Sequence, residues 1–155
     1  MRLPDWLRSG DLQRQPATRE EIERFFGIAA RDLGDCEVAG VSRDRQFAIA
    51  YEAALTLAMV VLRAADYRLR GSSAGHHWLT FALLPEIMGP QAEARSRYYQ
   101  ACRRKRHQAT YERTGVTSEA ELAELVSDVQ AFRRELIAWL RARHPEVLPH
   151  QADQS

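Results

Sequence analysis

Lysine is almost absent from this sequence: Lys105 is the only one among 155 residues. That shortage excludes Schiff-base chemistry at a choice of amines and a lysine-bearing phosphate loop of the Walker type. Cysteine is scarce too, with Cys36 and Cys102 far apart and no Cys-x-x-Cys or zinc spacing. A reduced, cytoplasmic protein without a metal or other cofactor is therefore expected. No glycine-rich phosphate loop and no Gly-x-Ser-x-Gly elbow occurs, which disfavours nucleotide-triphosphatase and serine-hydrolase readings. Glu52, Asp66 and Glu86 are isolated acids, and no paired carboxylates stand out. The longest apolar run, Ala53 to Leu62, is about half of the ~20 residues that span a bilayer, so no membrane association is expected. The opening MRLPDWLRSGDLQRQ lacks the apolar core of a secretory signal. Charge of one sign is also missing: 22 Lys+Arg face 21 Asp+Glu, a net charge of +1. No global field recruits nucleic acid, and a basic site has to be local. No alternating β pattern, internal repeat or low-complexity segment is visible.

What is present is helical periodicity. Thr18-Arg-Glu-Glu21 reads as a capping box, followed by Ile22, Phe25, Phe26, Ala29, Ala30 and Leu33 at helical spacing, with Gly34 as the stop. Ser42 and Asp44 open the most apolar helix, dense in alanine and suited to the centre of a bundle. Gly71-Ser-Ser-Ala-Gly75 breaks the chain, and Pro85 interrupts the short helix that follows. Ser118-Glu-Ala-Glu121 is a second capping box, opening a long amphipathic helix that His144-Pro145 closes. The pattern predicts an all-α fold with helices over 18–34, 42–70, 76–88, 91–112 and 118–143. One domain is expected: a helical segment over 1–17 packing on a bundle of 18–144, then a flexible tail over 145–155.

One stretch carries chemistry. Residues 95–113 read RSRYYQACRRKRHQATYER, with seven Arg or Lys and one acid in an otherwise balanced chain. On a helix Tyr99, Arg103, His107 and Tyr111 fall four apart and form a drifting stripe, with Arg106 beside it. Arginine forks grip phosphate and aromatic faces stack on unpaired bases, so Arg103, Arg104, Arg106 and Tyr99 are candidate nucleic-acid contacts. The alternative is a solvated basic face with Tyr98 and Tyr99 in the core. His76 and His77 follow the glycine break, where they either line the same cleft or cap and pack their helix.

The order of three words matters further: the helix RDRQFAIAYEAALTLAMVVLRAADYR, the turn GHH, and the helix carrying RRKRHQATYE. Over residues 15–144 this resembles the HEPN superfamily (higher eukaryotes and prokaryotes nucleotide-binding domain), specifically its small stand-alone bacterial members. The resemblance implies an up-and-down four-helix bundle with an additional short helix. It also implies a homodimer with motif helices facing each other, and a metal-independent endoribonuclease of toxin–antitoxin or defence type. A nucleotidyltransferase-type antitoxin is the partner it suggests. Arg106 matches the family's arginine and His107 its polar position, while Tyr111 stands where the family carries a histidine. Arg106, His107 and Tyr111 are thus the catalytic candidates. A free tyrosine, with a pKa near ~10, is a poor base at neutral pH. Either His107 moves the proton, or the domain binds RNA, nucleotide or a partner protein without cutting.

Overall fold

The computed structural model describes residues 2–71 and 75–154. It is all-α apart from one short ribbon: α1 (Leu3–Ser9), β1 (Leu12–Arg14), α2 (Arg19–Asp35), α3 (Arg43–Ala64), β2 (Tyr67–Leu69), α4 (His76–Ala82), α5 (Leu84–Met88), α6 (Glu93–Tyr111) and α7 (Glu119–Arg143). Helix starts follow their caps. Ser118 Oγ accepts from the Glu121 amide at 3.0 Å while the Glu121 carboxylate takes the Ser118 amide at 2.9 Å, a reciprocal pair worth ~1 kcal/mol or more. Thr18 accepts from the Glu21 amide at 3.2 Å, but Glu21 does not reciprocate. Its carboxylate is taken by Arg63 of α3.

Helix α3 is the centre, packed against α2, α6 and α7. Ala50, Ala53, Ala54 and Ala58 are fully buried, and their small side chains let three neighbouring helices approach closely. By length and composition α3 also passes for a membrane span, but 78% of its apolar window is buried inside the bundle. A run of rings ties the helices together: Tyr51 to Phe81 at 5.9 Å, Phe81 to Tyr99 at 5.4 Å, and Tyr99 to Phe132 at 5.8 Å between centroids. Each such pair adds about 0.5–1.5 kcal/mol to the burial itself.

Three boundaries differ from the sequence reading. The central helix ends at Ala64, not near residue 70. Asp66 takes a left-handed φ of 65°, and β2 then pairs antiparallel with β1, Leu12 opposite Leu69. The Arg63 guanidinium locks this exit by donating to the carbonyls of Gln15, Pro16 and Tyr67. Gly34 does not stop α2, which runs on to Asp35 with Cys36 as its cap. The C-terminal segment is docked rather than free through residue 152. It makes short 3-10 turns at Pro145–Val147 and His150–Gln154, buries Val147 and Ala152, and the His150 amide donates to Glu23 at 3.0 Å. Pro85 divides the short helix in two as its missing amide requires, giving α4 and α5.

Candidate functional site

Helix α6 decides which basic residues meet the rest of the molecule. Steps of three and four hold a residue over the same face, so Tyr99, Cys102 and Arg106 all turn inward. Repeated steps of four drift by about 40° each, and the expected stripe therefore rotates out of the core. Tyr99 is 0% exposed and Tyr111 is 68% exposed. Tyr99 is a core ring between Phe81 and Phe132, which corrects its assignment as a base-stacking residue: no base reaches it. His107 and Tyr111 lie on the outer side, their rings 5.0 Å apart, with His107 Nε2 4.0 Å from Glu112. Arg104 is exposed.

Arg106 faces inward and finds α3. Its Nη2 donates to Glu52 Oε1 at 3.2 Å, and its guanidinium carbon stands 5.8 Å from the centre of the Tyr51 ring. Arg106 Nε is buried without a hydrogen-bond partner among the described residues. Arg103 is steadied from the side: its Nε donates to Gln100, whose amide in turn donates to the Trp78 carbonyl at 2.8 Å. That bridge fixes α6 against α4.

His77 enters from α4. Its Nδ1 is 3.0 Å from the Tyr51 hydroxyl, and Tyr51 is 0% exposed. Burial pushes the Tyr51 hydroxyl far above its ordinary range, so it stays protonated. Burial also holds His77 below its ordinary value, and the positive charges of Arg106 and Arg103 act in the same direction against the opposing pull of Glu52. His77 is consequently a neutral imidazole at pH 7. His76 points elsewhere, its Nε2 3.0 Å from the Arg70 carbonyl. Both histidines line a pocket of about 450 Å³ with an apolar floor of Phe25, Leu55, Met59 and Leu62.

Of the residues singled out in the sequence, His77 and Arg106 meet on Tyr51, the first 3.0 Å from its hydroxyl and the second 5.8 Å from its ring centre, while the pocket that His76 and His77 line contains neither Arg103 nor Arg106. His107, Tyr111 and Arg104 lie on another side of α6, and Tyr99 belongs to the core. Tyr51, Glu52 and Gln100 were missed. Glu52 did carry a signal, since it is the only acid between Asp44 and Asp66 in an apolar helix. Among the described residues no group of three or more His, Cys, Asp or Glu side chains comes together as a metal site. Around Tyr51 stand one guanidinium suited to an anion and a neutral, oriented imidazole suited to a proton. No protein-family model, curated protein or solved structure matches the chain.

Proposed function

We propose that the protein is a HEPN-like, RNA-directed helical bundle that binds the phosphate backbone of unpaired RNA and cleaves it as a metal-independent endoribonuclease. The observation that carries this reading is that an arginine, Arg106, and a neutral histidine, His77, meet on one side chain, Tyr51. Phosphodiester chemistry needs charge stabilisation at the phosphoryl oxygens and a group that moves a proton, and Arg106 and His77 are side chains of those two kinds. The remaining basic residues of α6 extend the positive surface along which a strand can track.

A second reading, binding RNA, nucleotide or a partner protein without cleavage, is favoured by a separate observation. The family's histidine position is held by Tyr111, which is turned to solvent. The homodimer and the nucleotidyltransferase-type antitoxin belong to the same proposal, and exposed Tyr111 is an apolar anchor suited to such a contact.

The test is direct. Purified protein is titrated into a labelled single-stranded RNA in EDTA across a salt series, and the products are resolved on a gel. Salt-dependent binding with cleavage supports the nuclease, and binding alone supports the second reading. Affinity independent of salt, or none at all, rejects both RNA readings.

A further inference from the structure

We infer that the pocket between α2, α3, β2 and α4 binds a small amphipathic carboxylate, its apolar body on Phe25, Leu55, Met59 and Leu62 and its anionic head on Arg24 and Arg68. This goes beyond the RNA reading and does not depend on it, since neither Arg103 nor Arg106 lines the pocket.

The cavity measures about 450 Å³, within the range of about 300–1,000 Å³ that holds small organic ligands. Its floor comes from two helices. Leu55 and Leu62 of α3 are buried, while Met59 between them and Phe25 of α2 are half-buried. Steps of four and three along α3 stack Leu55, Met59 and Leu62 on one face, so the floor is a continuous aliphatic strip. The unbranched thioether of Met59 adapts to ligands of different shape.

Charge at the pocket is one-sided. The lining carries three arginines and one acid, Glu21. Arg63 spends its donors on the Glu21 carboxylate and on three backbone carbonyls. It is a wall of the pocket and cancels Glu21. Arg24 and Arg68 remain as the excess positive charge. Both are exposed, and both act electrostatically on Glu21. Arg24 makes no hydrogen bond or ion pair among the described residues. Arg68 has one 3.3 Å contact, to a Glu21 oxygen that Arg63 Nε already holds at 2.9 Å. Guanidinium donors in reserve at a pocket mouth match a carboxylate.

The α4 wall offers no rival site for the head. The Thr80 hydroxyl donates to the His76 carbonyl at 2.7 Å, His76 Nε2 is engaged by the Arg70 carbonyl, and His77 is neutral and tied to Tyr51. The walls are also set before a ligand arrives. Arg63 fastens the end of α3 to Gln15, Pro16 and Tyr67, and β1 holds β2 by antiparallel pairing. Little ordering is left to oppose binding.

The experiment titrates sodium octanoate into the full chain by calorimetry, alongside octan-1-ol and butyrate, and follows the methionine methyl resonances by NMR. Met59→Leu assigns the Met59 signal. Octanoate is expected to saturate one site and to shift the Met59 methyl while that of Met88, outside the pocket, stays in place. Octan-1-ol keeps the chain and loses the charge, and should bind about tenfold more weakly. Butyrate keeps the charge and loses most of the body, and should be weaker by about tenfold or more. Arg24→Gln and Arg68→Gln should each cost octanoate about fivefold and leave octan-1-ol unchanged. Arg104→Gln removes an equal charge from α6, outside the pocket, and should change neither. Circular dichroism checks that the variants fold, and the comparison of the three ligands on wild-type protein decides the matter without them.

Four outcomes overturn the inference. They are no saturable heat or no Met59 shift with octanoate, octan-1-ol binding as tightly as octanoate, butyrate binding as tightly as octanoate, and Arg104→Gln costing as much as Arg24→Gln. The second removes the cationic mouth, the third the apolar floor, and the fourth assigns binding to net charge. None of them touches the RNA reading, which its own salt titration decides.

Discussion

Helix α3 contributes one member to each of two arginine–glutamate pairs, and the two are opposites. Arg63 meets Glu21 with both side chains nearly buried, at 6% and 13% exposure. Its five N–H donors make five bonds, two to the Glu21 carboxylate and three to the carbonyls of Gln15, Pro16 and Tyr67. Arg106 meets Glu52 through a single 3.2 Å contact at 26% and 41% exposure, and its Nε is left without a partner among the described residues. A guanidinium whose donors are all filled by its own chain holds that chain together. One held by a single half-exposed pair has a weaker grip and can be drawn to another anion. Residue type and partner type are identical, and the count of satisfied donors separates a lock from a loose pair.

The sharpest way to break this contrast is Arg63→Ala. It leaves three carbonyls without their donor and the part-buried Glu21 carboxylate with Arg68 alone, which costs about 3 kcal/mol. For a chain of this size that lowers Tm by on the order of 10 °C, measured by thermal circular dichroism. Arg106→Ala should cost under ~1 kcal/mol, because its pair is half in water. Equal losses in the two variants would erase the distinction.

Acid titration sharpens the comparison from another side. The hydrogen bonds from Arg63 hold the Glu21 carboxyl below its usual value, with burial opposing and the charges of Arg63 and Arg68 adding to the effect. A carboxyl lowered in the folded state contributes stability above its unfolded value near pH ~4.3 and loses it as pH falls through the folded value. His77, also lowered in the folded state, contributes above pH ~6.5 and loses that contribution as pH falls through its own folded value. Urea midpoints from pH 8 to 3 should show both declines. Glu21→Gln should flatten the lower one and His77→Gln the upper one. A lower decline that survives Glu21→Gln would count against the locked pair.

Legibility in the sequence tracked the range of the interactions. The starts at Thr18, Ser42 and Ser118 were readable, because capping and helical periodicity are local. The end of α3 was not: Ala64, Ala65, Tyr67 and Leu69 continue an apolar pattern. The true stop depends on Arg63 reaching carbonyls some 48 positions earlier. The same holds at Arg106. The cluster of arginines on α6 was visible as composition, whereas the meeting of Arg106 with Glu52 spans 54 positions. The drift of the four-spaced stripe is what misplaced Tyr99, since a step of four stays aligned for one turn and not for three.

At the looser pair, Arg106→Ala has a modest effect that is nonetheless diagnostic. Removing one arginine–phosphate interaction lowers the salt slope for a single strand by ~0.7 of a log unit. The expected result is weaker RNA binding with a shallower slope and a nearly unchanged Tm. An unaltered slope would mean that Glu52 holds Arg106 as firmly as Glu21 holds Arg63.

The smallest effect is expected on the outer side of α6. His107 is 61% exposed as a side chain, and its 5.0 Å ring contact with Tyr111 is made in water. In an isolated chain, His107→Ala should change stability by no more than ~0.5 kcal/mol. The proposed dimer alters that expectation in a readable way. If two copies pair through this face, His107 and Tyr111 become buried, and the stability of the wild-type protein rises with concentration by mass action. The deficit of the variant should then grow over the same concentration range, as seen in Tm at low and high micromolar protein. A deficit that is small and constant at every concentration would reject pairing through His107 and Tyr111, and would leave this side of the helix to solvent or to RNA.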